Sequence, residues 1–144
     1  MMPLQNVKTV SVIKPQSVAT NATATGVIDR LGYDEVAINV HLDTAAATSS
    51  NPAVLKVGEG DTSTAFTDIT ALVGDGTGGF VVPNADTAAP QIIRLNLDAR
   101  ARKRYLQVSL TSAGAAQLAA VTADLNKADD TTVARAGMAL VVNA

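Results

Sequence analysis

The stretch Val36-Ala37-Ile38-Asn39-Val40-His41-Leu42-Asp43 decides the fold class. Val36, Ile38, Val40 and Leu42 fall on one side of an extended chain, and Ala37, Asn39, His41 and Asp43 on the other. Side chains alternate across a strand with a period of two, so this is a strand with one buried face, as antiparallel sheets require. The alternation recurs in Ile93, Leu95 and Leu97 against Arg94, Asn96 and Asp98. It appears again in Leu106, Val108 and Leu110 against Tyr105, Gln107 and Ser109.

Working outward, weaker strand patterns occupy Val7–Ile13, Thr25–Arg30, Ala53–Val57, Gly79–Val82, Ala119–Leu125 and Met138–Val142. Turn-forming segments separate them: Leu31-Gly32-Tyr33-Asp34, Thr44–Pro52, Gly74–Gly79 and Pro83–Pro90. About eight or nine short strands punctuated in this way predict an all-β fold, an antiparallel β-sandwich of jelly-roll type. Ala113–Ala123 is alanine-rich enough for a helix, but Val121, Ala123 and Leu125 alternate with Thr122, Asp124 and Asn126, which favours a strand beginning near Ala119. Strand order is not readable from spacing.

A chain of 144 residues is one domain by length. Apolar residues make up 47% but aromatic ones only 3%, with no tryptophan, so the core must come from Val, Leu and Ile. The net charge of −2 gives no long-range pull toward nucleic acid or anionic membrane. There is no cysteine, which removes disulfides and thiolate chemistry. Neither a secretory-type apolar stretch nor a run of about 20 apolar residues is present, so the expectation is a soluble chain used without export.

The motifs with chemical potential are weak. Gly74-Asp75-Gly76-Thr77-Gly78-Gly79 lacks the lysine of a phosphate-binding loop and is followed by Phe80-Val81-Val82, so it reads as a hairpin loop. His41 is the only histidine and lies on the polar face of the strongest strand, leaving no histidine metal cluster and no nucleophile elbow beside it. Glu59, Asp61 and Asp68 lie in or beside the loop after Val57, without the spacing of a calcium loop. Asn21-Ala22-Thr23 is a glycosylation sequon only in form. No catalytic, cofactor or metal residue is therefore assigned, and an enzyme is not expected. The basic run Arg100, Arg102, Lys103 and Arg104, with Arg94 upstream, stands out. Only Tyr105 is an adjacent aromatic, too few rings for a single-strand platform. A turn satisfied by carboxylates such as Asp98, or a contact to an acidic protein surface, suits it better.

Three segments carry a family resemblance: Gly26-Val27-Ile28-Asp29-Arg30-Leu31-Gly32-Tyr33-Asp34, then Leu55-Lys56-Val57-Gly58-Glu59-Gly60-Asp61-Thr62, then Arg94-Leu95-Asn96-Leu97-Asp98-Ala99-Arg100-Ala101-Arg102-Lys103-Arg104-Tyr105-Leu106. In this order they resemble the small capsid cement, or decoration, proteins encoded beside major capsid proteins in tailed bacteriophages. The resemblance runs from about Gly26 to Thr111 and rests on structural, not catalytic, motifs. It implies a jelly-roll on the outer surface of the virion, made in the bacterial host cytoplasm. Its partner would be the major capsid protein; independently of the resemblance, symmetric self-pairing is expected, with a dimer favoured over a trimer, and the charge balance gives no role for nucleic acid or membrane. A glycan- or receptor-binding module of a phage tail or surface appendage is the alternative, disfavoured by the scarcity of aromatics. The ends, residues 1–16 and 129–144, are either edge strands or arms around a body spanning Gly26–Leu125. Candidate partner contacts are Arg100, Arg102, Lys103 and Arg104, with Val10 and Val12 near one end and Met138, Leu140 and Val142 near the other.

Overall fold

The structure, a computed structural model, describes residues 7–43, 52–82 and 91–127. Eight strands form: β1 (Val7–Val18), β2 (Thr23–Asp29), β3 (Glu35–Leu42), β4 (Val54–Gly60), β5 (Thr67–Val73), β6 (Gln91–Asp98), β7 (Tyr105–Thr111) and β8 (Gln117–Asn126). They build two antiparallel four-stranded sheets, ordered β1-β8-β3-β6 and β2-β7-β4-β5. The pairing is nested, β1 with β8, β2 with β7, β3 with β6 and β4 with β5, as if one long hairpin had been rolled up. That is the jelly-roll arrangement, and the predicted sandwich is what the chain adopts.

The core follows from the alternation. Val36, Ile38, Val40 and Leu42 on β3 pack with Leu55, Val57, Leu106, Val108 and Leu110 from the opposing sheet. Leu95 and Leu97 join them from β6, and Val121, Ala123 and Leu125 from β8. The alanine-rich region is therefore a strand, as its alternation predicts, beginning at Gln117. At the β1–β2 turn, the Ala22 N–H reaches the Ala19 carbonyl at 2.9 Å, with Asn21 at φ 58° in the left-handed region. Asparagine tolerates that conformation better than most residues, which accounts locally for the sequon.

Two expectations are corrected. Gly79–Val82 is not a strand: Gly74 bridges Phe80, the Asp75 N–H donates to the Phe80 carbonyl at 2.7 Å, and the Asp75 carboxylate accepts from Val82 N–H at 3.0 Å. With Asp75 itself at φ 56°, the segment folds back on its own turn instead of pairing. Of the two alternatives for the N-terminal end, edge strand or arm, the chain from residue 7 onward takes the first, so the body does not begin at Gly26. β1 is an edge strand whose Ile13 and Val18 are buried, with Val10 and Val12 half-buried against the same core. A body beginning at Gly26 would lack it. The C-terminal candidates Met138, Leu140 and Val142 lie outside the described residues.

Candidate interaction site at the charged end

Topology places the β2–β3, β4–β5 and β6–β7 connections at one end of the sandwich. The registers show this directly: Asp29 and Gly60 both pair with Tyr105, and Glu35 pairs with both Asp98 and Asn126. The three segments that carry the family resemblance thus meet. Val7 pairs with Asn126, so β1 begins and β8 ends at this same end.

Main-chain bonds knit the turns together. Ala99, fully buried, donates its N–H to the Asp34 carbonyl at 2.7 Å, and Arg30 N–H reaches the Arg104 carbonyl at 3.1 Å. The Arg30 guanidinium donates to the carbonyls of Lys103, at 2.9 Å, and Arg102. Arg30 therefore fixes the shape of the β6–β7 turn. Gly32, at φ +85°, supplies the left-handed residue that turns the chain from β2 into β3.

Each cation of the basic run then meets its own carboxylate. Arg100 holds Asp98 through Nε at 2.9 Å and Nη2 at 2.7 Å. Arg102 lies 3.4 Å from Glu59, whose other oxygen accepts the Lys103 N–H at 3.0 Å. The Lys103 ammonium reaches Asp61 at 2.8 Å. Arg104 grips Asp29 with two bonds, at 3.0 and 2.8 Å, while its guanidinium stacks 4.8 Å from the Tyr105 ring centre. The Arg104 bonds, helped by the Leu31 N–H, bring the Asp29 carboxyl down to about 2. Arg100, through its side chain and its main-chain N–H, brings Asp98 down to about 2. The same pairings raise Arg100, Lys103 and Arg104. A basic run in sequence is thus a lattice of fixed ion pairs in space, with an alternating-sign surface rather than a cationic patch.

The other singled-out residues do not converge. Glu59 and Asp61 face the basic turn, and Asp68, which lies on β5 and not in a loop, pairs with Lys56 at 3.0 Å. Among the described residues no cluster of His, Asp and Glu could hold a metal ion, and no helix is long and apolar enough to cross a membrane. His41 is exposed on the outer face of β3, in register with Ile92 and Ala120. It borders a groove of about 600 Å³ whose apolar wall includes Ile92 and Leu118. A second groove of about 530 Å³ lies on the same sheet nearer the charged end, lined by Glu35, Arg94, Asn96, Asp98 and Asp124 among others. Sequence reasoning missed both Arg30 as the organiser of the turn and Asp29 as the partner of Arg104. The only signal for either was its place within the first resembling segment.

Compared with known families and curated proteins, the sequence matches no family model and no curated protein.

Proposed function

We propose that this chain is a capsid cement protein of a tailed bacteriophage, a structural virion component that binds the outer capsid surface and ties neighbouring major capsid protein subunits together. The observation that carries the reading is the convergence at one end of the three segments resembling that family. They form an ion-paired surface of alternating charge beside the start of β1 and the end of β8. Such a surface favours docking on another protein, where each fixed charge can meet its complement and wrong partners are rejected by like-charge contact. It favours polyanion binding less, because the arginines already have partners. Weak individual contacts suffice on a capsid, since a symmetric lattice presents many copies of the same seam.

A glycan-binding reading has less support, because neither groove on the outer face of the β1-β8-β3-β6 sheet is lined by Tyr or Phe. The test is cosedimentation of the purified chain with capsids built from the major capsid protein encoded beside it, with duplex DNA and a glycan array as parallel arms. Saturable retention on capsids that weakens in the Arg102→Glu variant, with no DNA shift, supports the proposal. An empty capsid pellet, or a glycan hit without capsid retention, overturns it.

A further inference from the structure

An exposed sheet edge is a template for another chain unless something blunts it. Three of the four edges here are blunted. β1 carries register shifts between Ser11 and Ile13 and between Ile13 and Gln16, with Pro15 in the second. β2 is pressed by β1, whose Val12 backbone lies against Gly26. β5 joins β4 through a broken register, jumping from Lys56↔Val73 to Gly58↔Asp68. Among the described residues β6 has no such protection. It runs in unbroken register with β3 from Gln91 to Asp98 and contains no proline.

The side of β6 away from β3 carries main-chain groups that can pair. Ala99 N–H bonds the Asp34 carbonyl, so alternation turns the main-chain groups of Leu97, Leu95 and Ile93 toward β3 and those of Ile92, Arg94 and Asn96 outward. The core is less sealed along this rim than at the central strand β3. The inward side chains Ile93, Leu95 and Leu97 keep between 7 and 9% exposure, whereas Val36, Ile38 and Val40 on β3 keep 0–1%.

We propose that the chain self-associates as a two-fold dimer through β6, joining the two β1-β8-β3-β6 sheets into one continuous sheet. The occupant is a second copy because the edge is self-complementary. Pairing centred on Asn96 sets Asn96 opposite itself and Arg94 opposite the partner's Asp98, twice. Arg94 now reaches only Asn96, at 3.1 Å, and has no carboxylate partner among the described residues. Glu35 stands directly opposite Asp98 in register, a like-charge pair that costs stability. Arg94 of the partner subunit brings a second cation to it. On the inner side, Leu95 meets the partner's Leu97, covering the rim. This inference is independent of the capsid reading, because self-association is measured without capsids.

The chain has no cysteine, so Asn96→Cys places a single thiol on the two-fold axis. Opposed Cα atoms of a hydrogen-bonded pair lie about 5.5 Å apart, within disulfide reach. Oxidation of this variant should give a crosslinked dimer on a denaturing gel, whereas Thr25→Cys, exposed on the other sheet, should not. In analytical ultracentrifugation of the full chain, Arg94→Asp should weaken the dimer at least about tenfold, and adding Asp98→Arg should restore it. Asn96→Pro loses no bond to β3, so it should abolish association while leaving the melt cooperative, separating loss of dimer from loss of fold. A wild-type chain that remains monomeric at about 1 mM overturns the proposal. So does a dimer that survives Asn96→Pro, a charge swap that fails to restore, or a β6 edge that captures only a strand from a different protein.

Discussion

Replacing Gly26 with alanine should loosen the closed flank of the sandwich. A methyl built on Gly26 overlaps the Val12 carbonyl oxygen and stands 2.7 Å from its carbon, against about 3.5–4.0 Å for an ordinary carbon–carbon contact. The obstacle is main chain, so no rotamer change relieves it, and β1 and β2 must separate. Overpacking of this kind costs about 1–3 kcal/mol, with a rigid neighbour pushing toward the upper end. Against it stands a gain of about 0.4–1 kcal/mol, because alanine narrows the unfolded ensemble. The net is a loss of about 1–2.5 kcal/mol, which in a domain of this size lowers Tm by about 3–8 °C. Gly32→Ala is the control: nothing lies within 4 Å of the added carbon, and its cost comes from φ +85° alone. Urea melts give the two losses, and amide exchange tells them apart, since only Gly26→Ala should raise exchange along β1. A Gly26→Ala chain within about 0.5 kcal/mol of wild type, with β1 protection unchanged, would refute the close approach of β1 and β2.

Two further outcomes follow from the core and the charged end. Ile38→Ala, at a fully buried site on a central strand, should cost about 2–5 kcal/mol in a urea melt. Val108→Asp should leave the chain unfolded, and Asn39→Ala and Gln107→Ala should melt near wild type; equal losses across both sets would mean the register is wrong. The acid response has a definite sign: Asp29 and Asp98 sit at about 2 in the folded chain, below their ordinary 3.8. A depressed carboxylate contributes stability that is present above the unfolded value and lost as pH falls through the folded one. The urea midpoint should therefore drop between about pH 4 and pH 2, and Arg104→Met, which removes the chief partner of Asp29, should flatten that drop; an unchanged pH profile in the variant would sink the assignment.

The strands most legible in the sequence are those whose ladders are unbroken. β3, β6 and β7 keep strict registers with their neighbours, so burial and sequence share a period of two. β5 was not legible, for a physical reason. Its buried residues, Ile69 and Leu72, are three apart because the register with β4 jumps between Lys56 and Gly58, and a pattern search tuned to alternation passes over it. Phe80-Val81-Val82 failed in the opposite direction. Its composition suits a strand, but Phe80 and Val82 pack on the core while Val81 is 84% exposed, held in a turn that the Asp75 carboxylate closes. β-branched content marks a half-buried surface, and a folded-back loop can offer one as readily as a strand.

The charged end was half legible. The basic run was visible, and so was the reading of it as a turn answered by Asp98, because that partner lies two residues from Arg100. Glu59, Asp61 and Asp29 were not assignable, since Arg104 and Asp29 are 75 positions apart and meet only through topology. In a rolled hairpin, residues close together at one end are distant in sequence by whole multiples of a strand pair. Carboxylate motifs after β2 and β4 and a cation motif after β6 must therefore meet, once the order of strands is known. Charges that look like a nucleic-acid patch in one dimension become, in three, the fastening of three turns to one another. Main-chain bonds and the Arg30 guanidinium join these turns beneath the ion pairs, and a surface whose groups are already held in place loses less entropy when it docks.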